Sequence, residues 1–290
     1  MKKINIKQYI NIAILLSAAA LAGACGGEGS DQAGTGTGQP EVTVTRIRIG
    51  VCPGPYGKMI EEGIAPILKR QNIKTEVIEF QDYVQPNMAL VSGDIEANVF
   101  QHKVFLQNIV DTTGMAITDV AVIPTSIGMA AFSEKYTNLD QLKEGDKLLI
   151  PSDAVNTGRA LRLARDAGLV TLKNQEGSND FKASLADIDE NRYGVEFVPV
   201  DAPQVSRSLD SVAVGFIPGN FVIAAGLDFE DALAIESPVE DLMGRVVVRA
   251  ADLDTIGRIL KTAYESEEFK NYIDSSDIYK TFSRPSWWNK

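Results

Sequence analysis

Apolar and polar positions follow a repeating order along most of this chain: a short apolar run, a stretch with helical spacing, then another apolar run. The runs at 46–52, 74–80, 95–100 and 120–125 have the length of buried strands. Between them, 57–71, 85–92 and 104–113 read as helices. The order then starts again, with strands predicted at 128–132, 147–151, 194–199 and 212–217 and helical stretches at 139–143, 157–167 and near Ser206. A polar segment follows Lys173, and a last strand at 246–249 precedes a helix at 252–266 and a terminal segment from Glu268. Strands alternating with helices build mostly parallel sheets covered on both faces, so the expected class is α/β.

The body that begins at residue 42 has about 250 residues, more than one compact core usually holds. Two similar lobes are therefore expected, one from 42–127 together with 238–290 and the other from 128–237. No exact internal repeat accompanies them. Ligands of open α/β sheets sit beyond the carboxyl ends of the strands, so two facing lobes would converge those ends on one cleft.

The N-terminus has a different pattern. Lys2, Lys3 and Lys7 precede an apolar run over 12–22 and small residues up to Cys25, the order of a secretory signal over 1–24. The run is well short of the roughly 20 residues that span a bilayer. Leu21-Ala22-Gly23-Ala24-Cys25-Gly26 resembles a lipobox, with Ala22 where the pattern prefers Leu. Cys25 would be diacylated on sulfur, as with palmitate, and acylated on nitrogen. Each buried methylene contributes about 0.8 kcal/mol, so such an anchor is durable. Residues 25–41 are rich in glycine and almost free of apolar side chains, which suits a flexible tether.

Cys52 is the only other cysteine, and His102 the only histidine. This supply gives no disulfide framework and no metal cluster, and no cofactor motif is present. Losing three lysines with the leader takes the formal charge of −11 to −14, which argues against nucleic acid as partner.

Three stretches carry candidate chemistry. Asp82 to His102 reads DYVQPNMALVSGDIEANVFQH and puts Tyr83 and Phe100 at strand ends, where cleft walls form. His102 reads either as a cleft residue that meets a ligand or as a helix N-terminal residue with a structural bond. Pro151 to Arg159 reads PSDAVNTGR and joins a strand to a helix that Asn156 can cap. Arg159 in the first turn has a fork able to grip a carboxylate; the alternative is a surface Arg paired with Asp153 or Asp166. The loop Gly50 to Gly57 lacks dinucleotide and phosphate-loop spacing, and its Tyr56 is a further cleft candidate. No nucleophile elbow appears, which disfavours an enzyme.

At these residues the chain resembles the NlpA lipoprotein family, whose members include methionine-binding lipoproteins. The pattern D-Y-x-x-P-N-x-A-L-x-x-G-D-I-x-A-N-x-F-Q-H is matched in full from Asp82, joined by P-x-D-x-x-N-x-G-R at 151–159, AGLV at 167–170 and DAPQVSRSLD at 201–210. The likeness covers about residues 45 to 260. It implies a two-lobed periplasmic-binding-protein fold, a monomer lipid-anchored in the cell envelope, an ABC permease and ATPase as partners, and an amino-acid-like ligand. Carried over by position, the side-chain pocket falls on Tyr83, Phe100 and His102, with Phe105 where Tyr is frequent. The carboxylate grip falls on Arg159 with Asn156 nearby.

Two departures bear on the ligand. Where the family often reads I-N-G-N-Y-A, this chain has Ile217-Pro218-Gly219-Asn220-Phe221-Val222, which keeps Asn220 and loses an Asn at Pro218. Arg245 stands roughly where the resemblance implies a polar Asn. Both changes weaken recognition of a free ammonium group and suggest a dipeptide, an acylated amino acid or another carboxylate. The competing classes are a surface adhesin or sensor with the same fold, and a hydrolase built on His102, with or without Cys52.

Overall fold

The computed structural model describes residues 44–126, 128–173, 181–237 and 239–289. The leader at 1–24, Cys25 with its tether to residue 41, the polar stretch at 174–180 and the crossings at Ile127 and Pro238 lie outside the described residues.

Two five-stranded sheets carry the fold. The first is ordered Lys74–Glu79, Arg46–Val51, Ala97–His102, Gly244–Arg249, Ile117–Val122. Arg46–Val51 runs parallel to both neighbours, whereas Gly244–Arg249 is antiparallel to both of its own. The second is ordered Ala234–Ile235, Ala130–Phe132, Val214–Ile217, Lys147–Pro151, Glu196–Val200, with its last three strands parallel. The chain thus leaves the first sheet after Val122, builds the second, and returns at Gly244 to insert a strand beside Ala97–His102.

Each sheet has its own core. Ile47, Ile49 and Val51 are buried with Met59, Ile60 and Ile64 of the following helix, and Tyr264, Phe269, Tyr279 and Trp288 from the C-terminal region close the same cluster. Trp287 packs against its edge and donates Nε1–H to the Val122 carbonyl. The terminal tryptophans therefore serve the first sheet. Leu148, Ile150, Val214 and Phe216 centre the second core.

Local differences from the sequence pattern have physical causes. The helix expected at 57–71 runs without a break through Tyr56–Lys58, Met59–Ile64 and Ala65–Lys69, its middle part wound as a π-helix. The stretch at 139–143 is one 3₁₀ turn, Leu139–Gln141, closed by a capping box between Asn138 and Gln141 that satisfies its backbone at once. The helix at 252–266 is composite, with a π-helix at Leu253–Gly257 leading into Arg258–Tyr264. Ser266 then caps a separate helix, Glu267–Ser275. An antiparallel pair of Val170–Leu172 and Ile188–Asn191 is not expected from the sequence, because its strands are short and carry no clear alternation.

Candidate functional site

Strand Ala97–His102 delivers its last residues to the site and passes directly into helix Lys103–Thr113. His102 caps that helix: its Nδ1 accepts the Phe105 backbone N–H at 3.2 Å. The structural reading of this histidine thus holds, and the capping residue also lines a cavity. With Nδ1 accepting, a neutral ring carries its proton on Nε2, which makes no hydrogen bond of ordinary length among the described residues and has the Asn156 side chain beside it.

Burial first, and then the Arg159 charge, pushes the His102 imidazole well below its ordinary value of 6.5. An unfolded chain takes up this proton at a higher pH than the folded one. The stabilising contribution is therefore complete above about pH 6.5 and shrinks as pH falls below it. Wild type is expected to lose melting temperature more steeply than His102→Gln between about pH 7 and pH 5, and parallel curves would contradict this.

A network of buried amides supports the strand. Asn87 donates to Gln101 at 3.1 Å, Asn98 donates to Asn87 at 2.9 Å, and Gln101 donates to Asn87 at 2.7 Å and to Asn98 at 2.9 Å. These Asn and Gln positions of the long motif hold helix Gln85–Ser92 against the strand that presents Phe100 and His102. Buried polar networks of this kind fix one arrangement when fully satisfied.

Tyr83 anchors an aromatic slot. Its ring stacks on Phe100 at 5.7 Å and meets Phe105 at 5.9 Å and Phe221 at 5.3 Å. Its hydroxyl donates to Asn220 Oδ1 at 2.7 Å, while Asn220 Nδ2 donates to the Pro53 carbonyl at 2.9 Å. Residues following strands of both sheets thus meet here. Gly54, at φ +136°, permits the approach, since a Cβ there would stand 2.8 Å from the Asn220 carbonyl oxygen. Phe221 is not among the site candidates named from the sequence, where it stands only as the neighbour of Asn220 in the stretch from Ile217 to Val222.

Arg159 sits in helix Ala154–Asp166, which Asp153 caps by accepting the Asn156 N–H. The expectation that Asn156 caps this helix is thereby corrected. Asn156 lies inside the first turn, where Asp153 holds its amide and its Oδ1 accepts from Arg159 Nη1 at 2.9 Å. Arg159 pairs with neither Asp153 nor Asp166. Glu236, 77 positions away, accepts from its Nε at 3.1 Å and its Nη2 at 2.5 Å. Of the five guanidinium N–H groups, one on each terminal nitrogen has no partner among the described residues.

Tyr56, Tyr83, Phe100, His102, Phe105, Asn156, Arg159 and Asn220 all line one cavity of about 50 Å³, together with Gln101, Ser126 and Pro218. Arg245 does not. In its strand Gly244 faces the cavity and Arg245 the other side, where its guanidinium meets Asp119 at 3.6 Å and the Glu240 carbonyl at 3.1 Å. Side chains alternate across a sheet, so a shift of one position moves a residue to the opposite face. Cys52 is buried and unpaired, with its thiol donating to the Asp82 carbonyl at 3.2 Å. Burial, and then Asp82, pushes that thiol well up, the reverse of what a nucleophile requires.

The profile of the family described as NlpA lipoprotein matches residues 47–287. The chain belongs to the NlpA lipoprotein family. The D-methionine-binding lipoprotein MetQ of Salmonella typhi is 32% identical over 241 residues, covering 80% of this chain and 86% of that one. Among solved structures, a nutrient binding protein from Burkholderia cenocepacia bound to methionine is 34% identical with a TM-score of 0.75, covering 82% of this chain and 100% of that one. An ABC transporter periplasmic substrate-binding protein from Coxiella burnetii is 33% identical with a TM-score of 0.71, covering 79% and 95%. The two-sheet architecture is thus the periplasmic-binding-protein fold, as the NlpA resemblance implied. NlpA proteins are binding lipoproteins and not enzymes, which removes the hydrolase reading.

Proposed function

We propose that this NlpA lipoprotein is the solute-binding component of an ABC importer, and that it holds methionine or a related amino-acid-like or peptide carboxylate in the cavity between its two sheets. In this reading, 42–127 with 238–290 forms one lobe and 128–237 the other. Cys25 carries the lipid that keeps the protein at the envelope, and lobe closure presents the loaded form to the permease. The observation that carries the proposal is the juxtaposition of two unspent Arg159 donors with an aromatic slot and the buried His102 Nε2. Arg159 would take the acid group through charge-assisted bonds, and Tyr83, Phe100 and Phe105 would take the side chain.

Methionine itself has support from the Burkholderia and Salmonella relatives, whose names record methionine. Against it stand Pro218 and Gly244, which offer no side-chain hydrogen bond where they line the cavity. Calorimetric titration with L-methionine separates the cases. A dissociation constant near 1 μM or tighter, about −8.2 kcal/mol, supports methionine, whereas no heat at millimolar ligand excludes it.

A further inference from the structure

Glu236 lies in a slot shaped for it. Its Oε2 accepts from the Met129 backbone N–H at 3.0 Å as well as from Arg159 Nη2, and its Oε1 accepts from Arg159 Nε. A Cβ added at Gly128 would stand 2.5 Å from Oε2, so the bare backbone there makes the room. The Arg159 and Glu236 side chains are only 7% and 12% exposed. A carboxylate gripped by three N–H groups in a slot opened by glycine is a fixed charge just outside the cavity, next to Thr125, Ser126 and Gly128 of its lining, and an incoming acid meets Arg159 with this charge already in place.

Apart from Arg159, no residue lining the cavity is formally charged, because His102 is held neutral by burial and by Arg159. Of the other charges close by, Arg162 on the next turn of the helix is felt by both Arg159 and Glu236, and the negative Asp153 offsets it. Asp153 holds the Asn156 amide, and Arg245 is matched by Asp119. The site as built is therefore neutral around Arg159, although a basic residue in a cleft suggests a site for anions. A solute carrying only a carboxylate would leave one uncompensated negative charge in a cavity whose lining has no further cation to meet it. A zwitterion brings its own ammonium, which the fixed negative charge of Glu236 beside the cavity favours.

We infer that Glu236 is a specificity-determining residue which neutralises the cleft and selects solutes with no net charge, such as free amino acids or short peptides with a free amine, over carboxylate anions. The inference rests on the proposal that Arg159 receives a ligand carboxylate. It narrows the ligand class, turning away from acylated amino acids and other simple acids. Selectivity of this kind comes from a built-in repulsive element as much as from an attractive one.

The test compares L-methionine with its des-amino analogue, 4-(methylsulfanyl)butanoate, which keeps the side chain and carboxylate and lacks the cation. Calorimetry on the wild type is expected to show L-methionine bound at least about tenfold more tightly, and Glu236→Gln is expected to shrink that ratio about tenfold or more. Equal or tighter binding of the analogue by the wild type overturns the inference without any variant. A ratio unchanged in a folded Glu236→Gln protein also overturns it, since a purely structural glutamate would alter both affinities by one factor. Should Glu236→Gln fail to fold, Gly128→Ala, which crowds the carboxylate out of its slot, is expected to move the ratio in the same direction, and no movement overturns the inference. If the wild type binds neither compound, methionine is excluded and the comparison is repeated with glycyl-methionine and its des-amino analogue; a protein that binds neither pair loses the parent proposal, and this inference with it.

Discussion

Replacing Arg159 by Ala is expected to weaken solute binding by about 100-fold or more and to destabilise the protein by about 3–5 kcal/mol. The two losses have separate origins. Binding falls because the donors that face the cavity are removed, together with the charge that assists them. Stability falls because Glu236 is left nearly buried with only the Met129 N–H to satisfy it, and Asn156 Oδ1 loses its donor. The double variant Arg159→Met with Glu236→Gln separates these effects. It should recover most of the stability, since replacing a buried ion pair by neutral side chains costs little, and it should not recover binding. Denaturant unfolding and calorimetry on the three proteins check both statements. Binding within about threefold of wild type in Arg159→Ala would remove the guanidinium from the site.

Trp288→Ala should cost about 3–5 kcal/mol of stability at a position that does not line the cavity. Trp288 is 7% exposed and meets Phe269 edge-on at 6.3 Å, with the Arg284 guanidinium 5.2 Å from its ring. Around it, Tyr279 donates its hydroxyl to the Pro55 carbonyl at 3.1 Å, and Thr125 pairs with Ser283 as a β-bridge. The C-terminal segment thus ties the first helix to the strand that leads out of the first sheet. Each kcal/mol lowers the melting temperature of a body this size by about 2–4 °C, so thermal unfolding shows the effect directly. Solute affinity of the folded fraction should stay at the wild-type value. A variant with unchanged melting temperature would mean that the tryptophan belongs to a surface and not to the core.

The parts of this protein that the sequence made legible are those with local signals. The apolar run at 147–151 marks a strand buried on both faces, which needs no polar alternation, whereas Arg46-Ile47-Arg48-Ile49 marks the first strand by its period of two. The motif from Asp82 to His102 places Tyr83, Phe100 and His102 at one sheet end because strand, helix and cap follow one another without a break. What stayed hidden depends on pairing across the chain. Glu236 sits in a short polar stretch that reads as solvated surface, and only the fold brings it to Arg159. Asn156 and Asp153 both suit a helix start, and the choice between them rests on a backbone hydrogen bond that sequence does not display. The assignment of Arg245 failed by a single residue, which in a strand suffices to exchange the cavity face for the opposite one.

Mass spectrometry of the small molecules released by denaturing the purified wild-type protein tests the central claim most directly, with Phe100→Ala handled in parallel. One carboxylic solute near one equivalent per chain is expected from the wild type, with a marked loss of it from the variant, which lacks a wall of the aromatic slot. Wild-type protein that also takes up no amino acid, peptide or other carboxylate when these are supplied would contradict solute capture at this site.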